Sequence, residues 1–221
     1  LSHEWIYQHV WADKRRGGEL YKNLRHGGKK YNKRKGTYGR RGCIPGRVDI
    51  DERPKVVEQK DRLGDWELDT IIGAKHQGAI VSAVDRKSKY CVLAKVPDKK
   101  AVNVTTKLKE RLGVHKSEVL TLTADNGKEF AEHEDIALAL EADFYFAKPY
   151  QSWQRGLNEH TNGLVRQYLP KSACLTTVTD QEVDQIEILL NNRPRKVLNY
   201  KTPKEVFFAN RSDPSTGALH T

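Results

Sequence analysis

GDWELDTIIG, residues 64–73, is the stretch that decides the fold class of this chain of 221 residues. Large apolar side chains alternate there with acidic ones, and a period of two is typical of a β-strand. The two faces of the predicted strand carry Trp66, Leu68, Thr70 and Ile72 on one side and Asp65, Glu67, Asp69 and Ile71 on the other. A carboxylate in the middle of a strand is unfavourable unless it is paired or used, so Asp69 is a candidate functional residue.

Downstream of this strand, the apolar pattern predicts strands at 79–84 and 90–96, a helix at 101–112, a strand at 119–124, a helix at 132–140 and a strand at 143–147. A short polar turn joins the second and third strands, so the first three form an antiparallel meander. Helices separate the later strands, which are therefore expected to be parallel neighbours. Two more helices follow, at 154–169 and after the capping box of Thr179 and Glu182. This order predicts an α/β protein with the ribonuclease-H-like fold: a mixed five-stranded sheet flanked by helices, with a basic N-terminal extension.

Three acids fall where such a sheet would gather them. Asp69 lies in the first strand, Asp125 ends the fourth, and Glu159 lies in the long helix after the fifth. Functional sites of open α/β sheets usually form at the carboxyl ends of strands. Each acid also has a plainer interpretation, because Asp125-Asn126-Gly127 is a common turn and a lone Glu159 is typical of a solvated helix. Together, on these elements, the three acids predict a nuclease-like site.

Clustered carboxylates suit the cleavage of phosphodiesters. That reaction needs an activated water or hydroxyl, and it needs stabilisation of charge on the attacking and leaving oxygens. Two divalent ions do both, and hard cations such as Mg²⁺ prefer oxygen ligands. We therefore predict two Mg²⁺ or Mn²⁺ ions held by Asp69, Asp125 and Glu159. We expect no small-molecule cofactor, and the histidines and cysteines show no spacing typical of a zinc site.

The net charge of +10 is concentrated in one segment of the chain. Residues 14–41 contain twelve Lys or Arg against a single acid, Glu19, so the rest of the chain is about neutral. Interspersed glycines and tyrosines suit an arm that follows phosphates and stacks on bases, although a solvated tail has a similar composition. The arm residues that we predict to bind DNA are Lys33, Arg34, Lys35, Arg40 and Arg41.

The cysteines and the absence of a long apolar run restrict the location of the protein. Cys43, Cys91 and Cys174 cannot all pair within the chain, and a reducing cytoplasm fits them best. No stretch approaches the roughly 18 consecutive apolar residues of a membrane helix, so no membrane partner is expected. Because the chain has no methionine, even at position 1, we expect it to be a fragment without its natural start.

The pattern predicts four regions along the chain. Residues 1–13 form a short helix at the end of a missing upstream region, and residues 14–62 form a basic, flexible DNA-binding arm and linker. Residues 63–210 form the ribonuclease-H-like core that carries the three acids. Residues 211–221 form a flexible tail.

Four motifs give the sequence a family resemblance: GDWELDTIIG (64–73), TADNGKEF (123–130), FAKPYQSWQRGLNEHTNGLVRQYLPK (146–171) and LNNRPRKVLNYKTPKEVF (190–207). In these motifs, of which the third is highly specific, the chain resembles bacterial insertion-sequence transposases of the DDE type. The resemblance is greatest to the IS-thirty family, whose catalytic core is similar to that of retroviral integrases. Two departures are Leu68, where many relatives have glycine, and His160, where asparagine is commoner. Neither departure removes a carboxylate.

The resemblance implies an activity and a role for each acid. Asp69, Asp125 and Glu159 match the first, second and third family carboxylates. The implied reaction is metal-dependent cleavage at transposon ends, followed by transfer of the freed 3′ hydroxyl into target DNA. Expected partners are therefore the terminal repeats and target DNA, with a homodimer assembled on DNA and a location at the bacterial nucleoid.

Several residues near the acids are predicted to contact DNA. Arg155, Asn162 and Arg166 share one face of the long helix with Glu159, so they are placed to hold phosphates, although ordinary surface pairing is the alternative. Trp153 suits a base contact and an anchor for the helix start equally well. The full set of predicted contacts near the site is Lys148, Trp153, Arg155, Asn158, Asn162 and Arg166.

Two other functions fit the same residues. A ribonuclease H-like or structure-specific nuclease would hydrolyse nucleic acid without joining strands. A DNA-binding transposase remnant would bind DNA without catalysis, although the presence of all three carboxylates argues against it.

Overall fold

The computed structural model describes residues 2–24, 44–148 and 156–209. The chain divides into two compact units, Leu1–Arg40 and Arg41–Thr221.

The first unit contains the predicted N-terminal helix. Helix α1 spans His3–Arg15, and a 3₁₀ turn follows at Leu20–Asn23. Ser2 caps α1, because its side chain accepts a hydrogen bond from the backbone N–H of Trp5 at 3.3 Å. Such caps satisfy an N–H group that the first helical turn leaves unpaired. The helix predicted at the start of the chain is confirmed.

The second unit is built on one mixed sheet. Its strands are β1 (Asp65–Ile72), β2 (Ala79–Asp85), β3 (Cys91–Val96), β4 (Thr121–Ala124) and β5 (Asp143–Phe146). They lie in the order β3-β2-β1-β4-β5. The first three are antiparallel neighbours, whereas β4 pairs with β1 and with β5 in parallel. The predicted mixed five-stranded sheet is confirmed.

Helices surround this sheet. They are α2 (Val56–Gln59), α3 (Ala101–Gly113), α4 (His133–Leu140), α5 (Gly156–Tyr168), α6 (Asp180–Asn191) and α7 (Pro203–Phe208). The capping box predicted for Thr179 and Glu182 opens α6. Within the parts of the chain that are described, none of these helices combines the length and apolarity needed to cross a membrane.

The two faces of β1 belong to two different apolar clusters. Trp66 and Leu68 are fully buried with residues of α3 and α4. Ile71, on the opposite face, packs with Leu164 and Val165 of α5. The alternation predicted for residues 64–73 is therefore confirmed. Because residues two apart in a strand share a face, the acids of β1 lie on the side of α5.

The described part of the predicted linker is packed onto the sheet. Ile44 belongs to the core around Trp66, and Val57 is fully buried. The Arg53 guanidinium is also buried, and it donates a hydrogen bond to Thr123 Oγ1 at 2.8 Å. Residues 44–62 therefore differ from the flexible arm and linker that we predicted. The apolar residues of this segment are too sparse to form a periodic pattern, and a charged residue supplies part of its packing.

Other predicted regions fall outside the described residues. Residues 25–43, which contain most of the basic arm, are among them, as is the predicted tail at 211–221. The arm and the tail therefore stay predictions.

Candidate active site

Strands β1 and β4 bring Asp69 and Asp125 side by side. Glu67 of β1 lies opposite Thr123 of β4 in the parallel register, and the two aspartates come two residues later on each strand. Neighbouring strands are about 4.8 Å apart, and residues two apart share a face. Both aspartates are half-buried. Asp125 follows the last residue of β4, as predicted, so the two acids meet at the carboxyl end of that strand.

Asp69 is held by two hydrogen bonds. Its Oδ1 accepts from the backbone N–H of Thr70 at 2.9 Å, and its Oδ2 accepts from Asn162 Nδ2 at 2.7 Å. The other end of the Asn162 amide accepts from Ser82 Oγ at 2.9 Å. Asn162 therefore ties α5 to both β1 and β2, and it fixes the direction of the Asp69 carboxylate.

Asp125 opens a turn that does not join two hairpin strands. Its Oδ1 accepts from the backbone N–H of Gly127 at 2.8 Å, and a 3₁₀ turn at Lys128–Phe130 follows. The buried Asn126 donates to the carbonyl of Ala147 at 2.6 Å and accepts from Arg47. The plainer interpretation of this motif as a hairpin turn is therefore wrong, because β4 and β5 run parallel.

Glu159 lies in the exposed part of α5, one turn before Asn162. The opposite side of α5 is apolar, and Leu164 and Val165 are buried against the sheet. Packing of these residues and the bond from Asn162 to Asp69 fix α5 beside β1. Glu159 is thus carried by a helix that packs beside β1.

The predicted metal ligands fit a divalent cation in their chemistry. Carboxylates are the hard oxygen ligands that Mg²⁺ and Mn²⁺ prefer, and two of them lie on adjacent strands. Within the described ranges, however, no three His, Cys, Asp or Glu side chains come close enough together to hold one ion. Like charges oppose the convergence of three carboxylates, and N–H groups hold Asp69 and Asp125 locally instead.

A further carboxylate, Glu129, reaches this edge and was missed in the sequence. It is only 8% exposed, and its Oε1 accepts from Thr70 Oγ1 at 2.8 Å. Its Oε2 and Asp125 Oδ1 both lie within 2.7 Å of the position that a Cβ on Gly127 would take. The space beside Gly127 is therefore filled by two carboxylates. An acid four residues after Asp125, just before an apolar Phe130, was the available sequence signal.

Two predicted DNA contacts are turned towards the protein. Arg166 Nη2 donates to the carbonyl of Ile72 at 2.6 Å, and burial lowers the pKa of its guanidinium. Asn158 is fully buried, and its backbone N–H donates to Glu67 Oε2 at 3.3 Å. Asn158 therefore has no surface for DNA in this structure, because α5 presents it to the sheet. Asn162 contacts Asp69 and Ser82, as described above.

The remaining predicted contacts are only partly described. Lys148 pairs with Asp51, and the hydrogen bond that its ammonium donates to that carboxylate raises the pKa of Lys148. Trp153 and Arg155 lie outside the described residues, as do Lys33, Arg34, Lys35, Arg40 and Arg41.

Comparison with known proteins identifies the relatives of the chain. No profile of a protein family matches it. Over 207 residues it is 54% identical to the transposase for insertion sequence element IS4351 of Bacteroides fragilis, covering 94% of this chain and 64% of that protein. Over 185 residues it is 40% identical to the transposase InsI for element IS30A of Escherichia coli strain K12, covering 83% of this chain and 47% of that protein. This chain is similar to these insertion-sequence transposases. It spans 64% of the length of the first relative and 47% of the length of the second.

Solved structures show the same fold as this chain. A chain of the simian T-cell lymphotropic virus intasome, solved in complex with PP2A regulatory subunit B56 gamma, matches with a TM-score of 0.56 at 18% identity, covering 72% of this chain and 58% of that chain. The catalytic core domain of BIV integrase matches with a TM-score of 0.50 at 20% identity, covering 66% of this chain and 95% of that domain. The ribonuclease-H-like arrangement predicted from the sequence is thus that of integrase cores.

Proposed function

We propose that this chain carries the catalytic core of a DNA transposase, which cuts DNA at the ends of its element and joins the freed 3′ hydroxyl to target DNA. The placement of Asp69 and Asp125 on adjacent strands, beside the helix that bears Glu159, carries the proposal. The relatives named as insertion-sequence transposases support DNA as the substrate.

Asp69, Asp125 and Glu159 are the residues proposed to hold two Mg²⁺ or Mn²⁺ ions. Bound there, the ions would activate the attacking oxygen and stabilise the charge on the leaving one. Asn162 orients the Asp69 carboxylate, and the N–H of Gly127 orients that of Asp125. Glu129 adds negative charge beside them, which favours cations at this edge of the sheet.

The DNA partner and the assembly are also proposals. Lys33, Arg34, Lys35, Arg40 and Arg41 lie in the segment that carries nearly all of the net charge, so they are proposed to hold phosphates. A homodimer would hold two element ends together. A bacterial cytoplasm is the proposed location, since DNA is the substrate.

Replacing Asp125 by Asn tests the activity. Asparagine keeps the shape and the bond from Gly127 but removes the charge that would hold a cation. We expect Asp125→Asn to lose about 4 kcal/mol of transition-state stabilisation, which corresponds to a cleavage rate about a thousandfold lower than that of the wild type. The measurement is release of a 3′ hydroxyl from labelled DNA with a cognate element end, in Mg²⁺ and in Mn²⁺. Asp135→Asn, on the exposed surface of α4, is the matched control and should cut normally.

The same assay separates the transposase from its alternatives. Normal cleavage by Asp125→Asn would rule out the assignment of the acids. A wild-type chain that hydrolyses DNA but never joins pre-cut ends to a plasmid would be a nuclease. A chain that binds element ends but neither cuts nor joins them would be a DNA-binding remnant.

A further inference from the structure

A cavity of about 610 Å³ lies in the second unit, next to the proposed active site. Its walls come from the end of α2, from β1, from the turn after β2, from α5 and from the segment around Arg195. Ligand pockets of small molecules usually measure about 300–1,000 Å³, so this one is large enough for a single nucleotide.

Basic side chains dominate the wall of the cavity. Lys60, Arg86, Lys89 and Arg195 line it, together with only two carboxylates, Glu58 and Glu67. Both carboxylates are engaged by one of those cations, because Arg86 lies 3.2 Å from an oxygen of each. Glu58 pairs with Arg53 as well. The excess of positive charge therefore falls mainly to the two lysines, and it favours an anionic ligand.

Lys60 and Lys89 supply the part of this charge that a ligand can reach. The Lys89 ammonium is half-buried, and burial, followed by the charge of Lys60, lowers its pKa. An anion between the two ammonium groups would offset their mutual repulsion, and the Lys89 ammonium also donates a hydrogen bond to the carbonyl of Arg86. Lys60 is exposed and makes no ion pair with any residue that the structure describes.

Arg86 is a buried cation in the wall of the cavity. Its side chain is 3% exposed, and its Nε has no hydrogen-bond partner in the described part of the chain. A buried guanidinium with an unsatisfied N–H costs free energy, which the two adjacent carboxylates only partly offset. A bound anion would add favourable charge to this group.

The cavity adjoins the acids through both β1 and α5. Glu67, in its wall, precedes Asp69 by two residues on the same face of β1, a step of about 7 Å. His160, also in its wall, directly follows Glu159. A nucleotide bound in the cavity would therefore lie close to the proposed cleavage site.

We propose that this cavity binds one nucleotide of the DNA strand close to the scissile phosphate. Its phosphate would lie between Lys60 and Lys89, and its base would pack against the apolar side chains of Leu157 and Val197, which complete the wall. The identification of the ligand as part of a DNA strand rests on the proposed function. Binding of a nucleotide in the cavity does not itself require catalysis.

Thermal unfolding of the full chain with dTMP or inorganic phosphate tests the site. Both ligands are added without divalent metal and at constant ionic strength. At a concentration ten times its Kd, dTMP should raise the Tm by about 3–6 °C. Phosphate at that same concentration should raise the Tm less. Lys60→Gln and Lys89→Gln should each lose most of the dTMP shift. Lys99→Gln, an exposed lysine before α3 that does not line the cavity, should keep it.

An unchanged dTMP shift in both cavity variants would overturn the proposal. Equal shifts with phosphate and with dTMP would also overturn it, because the site would then recognise an anion without a base. If Lys89→Gln lowers the Tm of the free protein, Lys60→Gln decides the outcome, since Lys60 is exposed. If the nucleotide test fails, the prediction for Asp125→Asn in the cleavage assay still stands. If the chain does not cleave DNA, the rise in Tm with dTMP is still expected.

Discussion

Single polar side chains hold the candidate active site together. Asn162 uses both ends of its amide, donating to Asp69 and accepting from Ser82. Ser82 is fully buried, and its hydroxyl also lies 3.4 Å from the carbonyl oxygen of Asp69, so loss of Asn162 would leave it only this longer hydrogen bond. We propose that Asn162 positions the Asp69 carboxylate, and the phosphate contact that its helix face suggested stays a prediction.

Asn162→Ala should therefore slow cleavage without weakening DNA binding. Partners that orient metal ligands typically contribute about 10–100-fold in metal affinity or activity. We expect a fall of that size in the cleavage rate, together with a higher requirement for Mn²⁺. DNA affinity should stay within a factor of about two, because no phosphate contact is lost. Rates measured across a series of Mn²⁺ concentrations check this.

The control for that variant is Gln167→Ala, on the same helix. Gln167 is exposed, and among the residues that the structure describes its side chain bonds to Arg193 alone, so its loss should change neither the rate nor the metal requirement. Asn162→Ala with wild-type rates at every Mn²⁺ concentration would contradict a positioning role.

For single residues, the sequence predicts the position of a side chain on its strand or helix better than the contacts of that side chain. Asp69 and Asp125 were identifiable because strand periodicity places them in one register on neighbouring strands. The bond from Asn162 to Asp69 depends on how α5 docks, and no spacing within one helix reveals that. Glu129 approaches Asp125 only because the chain turns sharply at Gly127. Such turns are not visible as periodicity.

Elements are joined at a few positions where only glycine fits. Gly78, just before β2, has a φ of +69°. A Cβ there would lie 2.9 Å from the carbonyl carbon of Leu175 and 3.0 Å from the backbone nitrogen of Thr176. Leu175 is fully buried in the cluster beneath α5 and α6. The start of β2 and the segment before α6 are thus in direct backbone contact.

Gly78→Ala should destabilise the protein by about 2–5 kcal/mol. A left-handed conformation costs a residue with a Cβ about 1–2 kcal/mol, and forced overpacking costs about 1–3 kcal/mol. Urea unfolding followed by circular dichroism measures the change. As a matched glycine, Gly163→Ala in the middle of α5 meets no atom within 4 Å and should stabilise by about 0.5–1 kcal/mol. Equal stability of Gly78→Ala and wild type would show that this contact is loose.

The order and type of the elements could be predicted because apolar periodicity changes from two to 3.6 along the chain. Five strands and the helices between them follow from it, with ends displaced by one or two residues. Residues 44–62 could not be predicted in the same way. Their attachment depends on buried charge, with Arg53 on Thr123 and Arg86 between Glu58 and Glu67. Ion pairs between distant residues leave no periodic signal.

Along the whole chain, the segment that carries the net positive charge is different from the segment that forms the sheet. Residues 14–41 carry the excess of Lys and Arg, and the rest of the chain is nearly neutral. If the proposed function holds, electrostatic attraction to phosphates is therefore expected to come from a different segment than cleavage.

Counting the metal ions bound to the protein on DNA tests the central claim most directly. With DNA that carries a cognate element end, electron paramagnetic resonance of Mn²⁺ should show about two tightly bound ions per chain. Asp69→Asn, Asp125→Asn and Glu159→Gln should each lower that number. Three variants that retain as many tightly bound ions as the wild type would contradict the account.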